Sequence, residues 1–396
     1  MKRFWAAFLI LSFVCSGCAT TTRQAPSDDI SEQASVSGMQ NIRAFAGKSN
    51  PMIVKDIVGL LLNQQKEGVF LDKTPTWFNF LALSGGASYG AYGAGLLNGW
   101  SKSRTRPVFY FVTGISAGGI IAPFAFVGSK YDAKLKKFFT DYSTKDILYR
   151  KGTLPTLLGN SIASTAPLKH LIDQNIDQEL LNDVAEGYKE GRRLYIGTTN
   201  LDERRLVIWD MGKIASSGNP NALNLFRQII LASASIPVVF PPVFIQVESG
   251  GEVYNEMHVD GGISKNIFFI YDVDADLYKK ASEKGIDLSK VHRRLYLILN
   301  GYTKKFSKEV PNTLPGIAQV SFELMATNKS VGEIYELYNL SSTHGTDFNL
   351  AYIPSDKPPE EKEFFDPVEM RRLFDMGFKA AEHGYDWKKE PPGLNK

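Results

Sequence analysis

The stretch VFYFVTGISAGGIIAPFAFV, residues 108–127, decides how the rest of the chain is read. Val108 to Val112 is a short apolar run of strand length, and Ile120 to Val127 is an apolar stretch with the character of a helix. Between them stands Gly114-Ile115-Ser116-Ala117-Gly118. A tight strand-to-helix turn needs small neighbours on both sides of its central residue, and it holds a serine hydroxyl out at the end of a sheet. The N-terminus of the following helix favours a developing negative charge. Ser116 is therefore the candidate nucleophile, with Gly114 and Gly118 as the glycines of its elbow.

Working outward, short apolar runs alternate with longer helical stretches. Strands are expected at Phe78 to Leu83, Val108 to Val112, Leu194 to Thr198, Leu206 to Trp209 and Leu295 to Leu299. Helices are expected near 88–100, 117–127, 168–189 and 224–234. Such alternation implies an α/β protein whose sheet is largely parallel and covered by helices on both faces. A long helix over 314–338, a strand near 348–353 and a helix from 366 follow as a C-terminal α/β elaboration. Ile53, Ile57, Leu60 and Leu61 recur at helical spacing, so 51–66 is expected to be a helix packed on the main domain.

Two further segments carry chemistry. Leu83-Ser84-Gly85-Gly86-Ala87-Ser88-Tyr89-Gly90 lies between a strand and a helix, one such unit before the serine elbow. Its small residues leave backbone N–H groups accessible, as an oxyanion hole of main-chain donors requires. No Gly-Lys-Ser or Gly-Lys-Thr follows, so it is not a phosphate loop. Val259-Asp260-Gly261-Gly262 ends a run from Glu252 to Val259 that is expected to enter the sheet as a strand. A carboxylate at a strand end, freed by Gly261 and Gly262, can approach a serine hydroxyl from a neighbouring strand, which makes Asp260 the candidate base. Asp-Gly is also an ordinary hairpin turn.

The three pieces in this order resemble the patatin-like phospholipases: a glycine-rich loop, a Gly-x-Ser-x-Gly elbow about thirty residues later, and a distant Asp-Gly-Gly. Ala232-Ser233-Ala234-Ser235-Ile236-Pro237, with Phe240 and Pro241 after it, looks like the family's turn before the aspartate segment. The resemblance spans roughly 78–270. It implies a three-layer patatin-like sheet flanked by helices, with Ser116 as nucleophile and Asp260 as general base in a Ser-Asp dyad. The oxyanion hole would be the backbone of Gly85, Gly86 and Ala87. It further implies hydrolysis of a lipid ester through an acyl-enzyme, with no metal and no organic cofactor. There are two departures: Ala87 stands in place of the third loop glycine and resists φ > 0 by about 1 kcal/mol, and Tyr89 stands where the family usually has Arg or Lys.

At the N-terminus Lys2 and Arg3 precede an apolar stretch, Phe4 to Val14, too short to span a bilayer. Cys15-Ser16-Gly17-Cys18 follows and resembles a bacterial lipobox, with Cys15 where Leu is usual. The expected organisation is a signal peptide over 1–17, a polar tether over 18–50 with lipid on Cys18, a helical segment over 51–75, a catalytic domain over 76–275 and a C-terminal extension over 276–396 packed on it. Acyl chains on Cys18 would anchor the exported protein to a membrane. In a diderm host Ala19 resembles the signal for the outer membrane.

The formal net charge is +3, and no five-residue run of Lys and Arg occurs, which sets nucleic acid aside. A membrane lipid is the expected substrate. His170, His258, His292, His344 and His383 are scattered with no pair at metal-ligand spacing. Two rivals stay open: a Ser-His-Asp α/β-hydrolase, which shares the elbow, and a non-catalytic lipid-binding lipoprotein. His258, two residues before Asp260 on one strand face, is expected to tune the aspartate.

Overall fold

The computed structural model of the chain describes residues 23–48, 51–66, 77–150, 160–269, 277–286, 291–304, 306–307, 309–310, 312–355, 359–360 and 362–394. The expected signal peptide over 1–17 and Cys18 lie outside the described residues. The main sheet is built from β1 (Arg43–Phe45), β2 (Trp77–Leu83), β3 (Phe111–Ile115), β4 (Arg193–Asn200), β5 (Arg205–Asp210), β6 (Val243–Ser249), β7 (Glu252–Asp260), β8 (His292–Tyr302) and β9 (Thr346–Ile353). Its order is β1-β5-β4-β3-β2-β8-β9, with the β6–β7 hairpin joined to β4 through β7. The strands β4, β3, β2, β8 and β9 are parallel, whereas β5, β1 and β7 run antiparallel to their neighbours.

Successive strand residues face opposite sides of the sheet, and on β2 both sides are apolar. Leu81 and Leu83 belong to one core cluster, Phe78, Phe80 and Ala82 to the other. On the first face lie α2 (Gly90–Lys102), α3 (Ala117–Val127), α4 (Asp132–Thr140), α5 (Ala166–Asn175), α6 (Gln178–Lys189), α7 (Ala222–Ser233) and α9 (Pro367–Ala381). On the second lie α1 (Pro51–Lys66), which buries Val54, Ile57 and Val58, and α8 (Leu314–Thr343), which buries Ile334 and Leu337. This is the α/β sheet flanked by helices that the sequence implies. Among the described residues, no helix is long and apolar enough to cross a membrane.

Four boundaries differ from expectation. The strand expected at Val108 begins at Phe111, where pairing to Phe80 starts, and Val108 is exposed. The single helix expected over 168–189 is two, because Asp177 stops the first and caps the second by accepting the Leu180 N–H at 2.9 Å. Residues 23–48 are not a tether. Val36, Met39, Ile42, Ala44 and Phe45 are buried, β1 pairs with β5, and Arg43 reaches the buried Glu256 at 2.5 Å. Composition concealed this because the polar residues there are bonded inward, as Arg23 is to Asp202 at 2.6 Å. Finally, the residues after 276 are more than an extension: β8 lies between β2 and β9 within the sheet.

The last helix is fastened to α2 by glycine. A Cβ on Gly95 would lie 2.0 Å from the Phe374 carbonyl oxygen, and one on Gly377 would lie 2.2 Å from that of Tyr92. Gly→Ala in a helix gains up to about 1 kcal/mol of propensity, but overpacking against backbone costs about 1–3 kcal/mol or more. Gly95→Ala is therefore expected to destabilise. Gly59→Ala on α1, where a Cβ meets nothing within 4 Å, is expected to stabilise slightly. Urea unfolding of both variants reads the two signs.

Candidate active site

Ser116 stands between β3 and α3 with φ 53° and ψ −121°, a conformation that costs a side-chain-bearing residue about 1–3 kcal/mol. Close backbone contacts hold it there. A Cβ on Gly114 would lie 2.3 Å from the Gly118 carbonyl oxygen, and one on Gly118 would lie 2.3 Å from that of Leu83. The Gly118 N–H donates to the Ser84 carbonyl at 3.1 Å. The Ser116 N–H donates to Ser233 Oγ at 2.9 Å, and that hydroxyl donates to the Gly197 carbonyl at 2.8 Å. Ser116 itself is 5% exposed.

The glycine-rich loop runs beside the serine, since a Cβ on Gly85 would lie 3.2 Å from Ser116 Cβ. Asn300 braces it: its N–H donates to Ser84 Oγ at 2.7 Å and its Nδ2 to the Ser84 carbonyl at 2.8 Å. Gly85 cannot serve as an oxyanion donor as expected, because its N–H already donates to the Asn266 carbonyl at 3.1 Å. Among the described residues, the N–H groups of Gly86 and Ala87 have no acceptor. Ala87 adopts φ 48°, the left-handed conformation that an alanine resists. Tyr89 places its ring edge-on against Tyr302, with centroids 5.5 Å apart.

Asp260 ends β7 opposite Thr198, and its N–H donates to the Ser235 carbonyl at 2.9 Å. Ser233 and Ser235 thus fix the backbones of Ser116 and Asp260 from one short segment. Asp260 Oδ1 accepts the Gly262 N–H at 2.7 Å. Oδ2 is buried and has no hydrogen bond in good geometry. Burial pushes the Asp260 carboxyl up to about 7, against the Ser116 hydroxyl, the Gly262 N–H and the Lys329 charge, all of which lower it. Serine and aspartate therefore face each other just short of a formed bond, as catalytic pairs often do before substrate binds.

Ser116 lines an apolar cavity of about 40 Å³ walled by α3, α4, α5, α9 and the loop after α7. Ile120, Phe138, Phe139, Leu168, Phe240 and Met370 line it together with Ala87 and Ser116.

No histidine completes a triad in this geometry. His258 is fully buried, with Nδ1 2.9 Å from Thr198 Oγ1 and Nε2 3.1 Å from Glu256 Oε2. Thr198 Oγ1 accepts the Trp209 N–H at 2.8 Å, so its own proton goes to Nδ1 and Nε2–H goes to the carboxylate. Burial lowers the His258 pKa. Burial alone would raise Glu256, but His258 and Arg43 hold it at about 2. Neither ring nitrogen bonds Asp260, and the interactions that set the Asp260 pKa do not include His258, so the expected tuning is replaced by a separate ion network. His170 bonds Gln174 on α5, His292 packs on Trp77, His344 follows α8, and His383 is exposed.

Sequence reading missed Asn266, Asn300, Lys329, Ser330 and Glu333. Asn266 Nδ2 donates to Ser330 Oγ at 2.6 Å, and Glu333 accepts the N–H groups of Asn266 and Ile267. No local motif marks these residues. Ser233 and Ser235 did carry a signal, the Ala-Ser-Ala-Ser-Ile-Pro run.

Fold and site together define an α/β protein that presents a serine at a strand-to-helix elbow beside a buried carboxyl. Residues 81–272, close to half of the chain, match the family model described as Patatin-like phospholipase, and the fold is patatin-like. A curated relative, the Probable lipid hydrolase 463L of Invertebrate iridescent virus 6, is 27% identical over 220 residues, covering 54% of this chain and 69% of the viral one. Among solved structures, VipD from Legionella pneumophila aligns with a TM-score of 0.35 and 12% identity over 77% of this chain and 68% of its own.

A carboxyl raised from 3.8 to about 7 keeps its proton in the folded state where the unfolded chain has lost it. Asp260 therefore lowers stability progressively as pH rises from about 4 to about 7. Asp260→Asn is expected to be more stable than wild type at pH 8, by on the order of 1–4 kcal/mol. The two should converge below about pH 4, and urea titrations across that range measure the difference.

Proposed function

We propose that the protein is a serine lipid acyl hydrolase of the phospholipase A or lysophospholipase type, acting through Ser116 and Asp260. The observation that carries this reading is the buried Asp260 carboxyl with one oxygen bonded and the other left open beside the strained Ser116. Asp260 Oδ2 takes the Ser116 proton as Oγ attacks the acyl carbonyl, and the N–H groups of Gly86 and Ala87 receive the oxyanion. Collapse releases the alcohol, protonated by Asp260, and leaves an acyl-serine. Asp260 then activates water to free the acid.

The apolar lining of the cavity beside Ser116 matches the chemistry of an acyl chain. Tyr149, Val238 and Val368 are 69%, 49% and 71% exposed and stand within two residues of the cavity residues Ile147, Ile236 and Met370. Exposed apolar side chains close in sequence to the cavity lining support a lipid surface over a soluble ester. The family match and the lipid hydrolase relative support the substrate class. A Ser-His-Asp mechanism is disfavoured by the engagement of both His258 nitrogens. The free N–H groups at Gly86 and Ala87 favour turnover over mere lipid binding.

We further propose that Cys18 carries lipid and holds the protein at a membrane, the outer one in a diderm host. Mass spectrometry of the mature N-terminus is expected to find a modified Cys18 as its first residue. A soluble product with an unmodified cysteine overturns the anchor.

Ser116→Ala and Asp260→Asn should each lose at least about 10³-fold in phospholipid or lysophospholipid turnover, with the double variant little worse than either. Each histidine changed singly to Ala, in folded protein, should keep at least about a tenth of the activity. A histidine variant as inactive as Ser116→Ala would replace the dyad with a triad.

A further inference from the structure

The turn after Asp260 is held from outside the matched segment. Lys329, on α8, donates from Nζ to the carbonyls of Gly262, Ile263 and Ser264 at 3.1, 2.6 and 3.3 Å. Three donations use the whole capacity of an ammonium group. The same turn carries the Gly262 N–H that occupies Asp260 Oδ1 and so leaves Oδ2 for Ser116. One helical turn further along α8, Glu333 is taken up by the N–H groups of Asn266 and Ile267. No ion pair at contact distance is formed between Lys329 and a described carboxylate, so its charge bears on the turn and on Asp260 behind it.

We propose that Lys329 is a positioning residue for Asp260: its ammonium fixes the turn that aims the aspartate's open oxygen at Ser116, and its charge favours the ionised form of that carboxyl. The inference rests on the hydrolase reading above. A neutral carbonyl-binding side chain would supply the first effect alone, and the two are separable because only a charge alters the protonation of the base.

The charged groups around the turn are few. Lys329 acts on Asp260, and Glu333 acts on Lys329. Lys265 reaches Glu336 at 3.2 Å and, with Lys329, opposes the burial that pushes Glu333 up to about 7. Glu333 therefore titrates in the same range as Asp260 and has to be distinguished from it.

The test is the pH dependence of the second-order rate constant for Ser116 with an uncharged alkyl fluorophosphonate. In that reaction the serine oxygen displaces fluoride from phosphorus and its proton passes to Asp260. Wild type should lose rate as pH falls through about 7, where the base takes up its proton. Lys329→Gln, which keeps amide donors without the charge, should move this acid limb up by about one pH unit, with the rate regained at higher pH. Lys329→Arg should leave the limb within about 0.3 unit, since the charge is kept, and Glu333→Gln should leave it in place.

A Lys329→Gln limb coincident with wild type, in protein of unchanged circular dichroism, overturns the proposal. So does a Lys329→Arg limb displaced as far as that of Lys329→Gln. Should Lys329→Gln fail to fold, Lys329→Met decides, an acid limb moved up supporting the proposal and one coincident with wild type overturning it. A wild-type protein with no label on Ser116 sinks the hydrolase reading and this inference together, whereas labelling with an unmoved limb sinks the role of Lys329 alone.

Discussion

A residue with a side chain is held at φ 53° between a strand and a helix, and nearly everything around it serves to keep it there. The contact of Gly118 with the Leu83 carbonyl presses α3 against the end of β2. That is possible only because β2 and β3 are parallel neighbours with Leu83 paired to Gly114. The Ser233 hydroxyl then joins the Ser116 N–H to the Gly197 carbonyl of the next strand. A strained turn at the end of three adjacent strands is thus over-determined by backbone contact, the condition under which such strain persists in a fold. Two residues along, Ser235 binds the N–H of Asp260, so serine and aspartate are placed by the same segment.

Burial gives the site its chemistry and its instability together. The Asp260 carboxyl is raised because it is buried, and a carboxyl that titrates near neutrality is better matched to proton transfer than one that titrates near 4. The same desolvation works against the folded state once the group ionises. Elsewhere on β7 the fold resolves a comparable difficulty differently. Glu256 is surrounded by Arg43 and His258 and stays ionised. One strand therefore carries a fully paired charge at Glu256 and, four residues on, a carboxyl at the position facing Ser116 whose burial outweighs the groups that favour its charge.

What the sequence disclosed was what is local. The Ser116 elbow is legible because its geometry is enforced by residues two positions away on either side, and the hydroxyl lies where that turn must put it. Asp260 is legible because Gly261 and Gly262 are its immediate neighbours. Ala87 could be flagged because a methyl group at positive φ is a property of one residue. The commitment of the Gly85 N–H could not be read, since its acceptor, the Asn266 carbonyl, comes from a loop far along the chain. Lys329 and Asn300 are hidden for the same reason. Residues 23–48 were misread because composition counts polar side chains without recording that Arg23 and Arg43 are paired. Strand order is equally invisible to periodicity: β8 is as apolar as an appended strand would be, and its place beside β2 is set by the rest of the sheet.

That place has a consequence for synthesis. The strand β2 is apolar on both faces and needs a neighbour on each edge, yet the partner of its second edge begins only at His292. A chain emerging from the ribosome carries Trp77 to Leu83 for most of its length with one row of amide and carbonyl groups unpaired. Such an edge is a template for adhesion to other chains. The order of the strands thus leaves that edge of β2 open until the last quarter of the chain is being made.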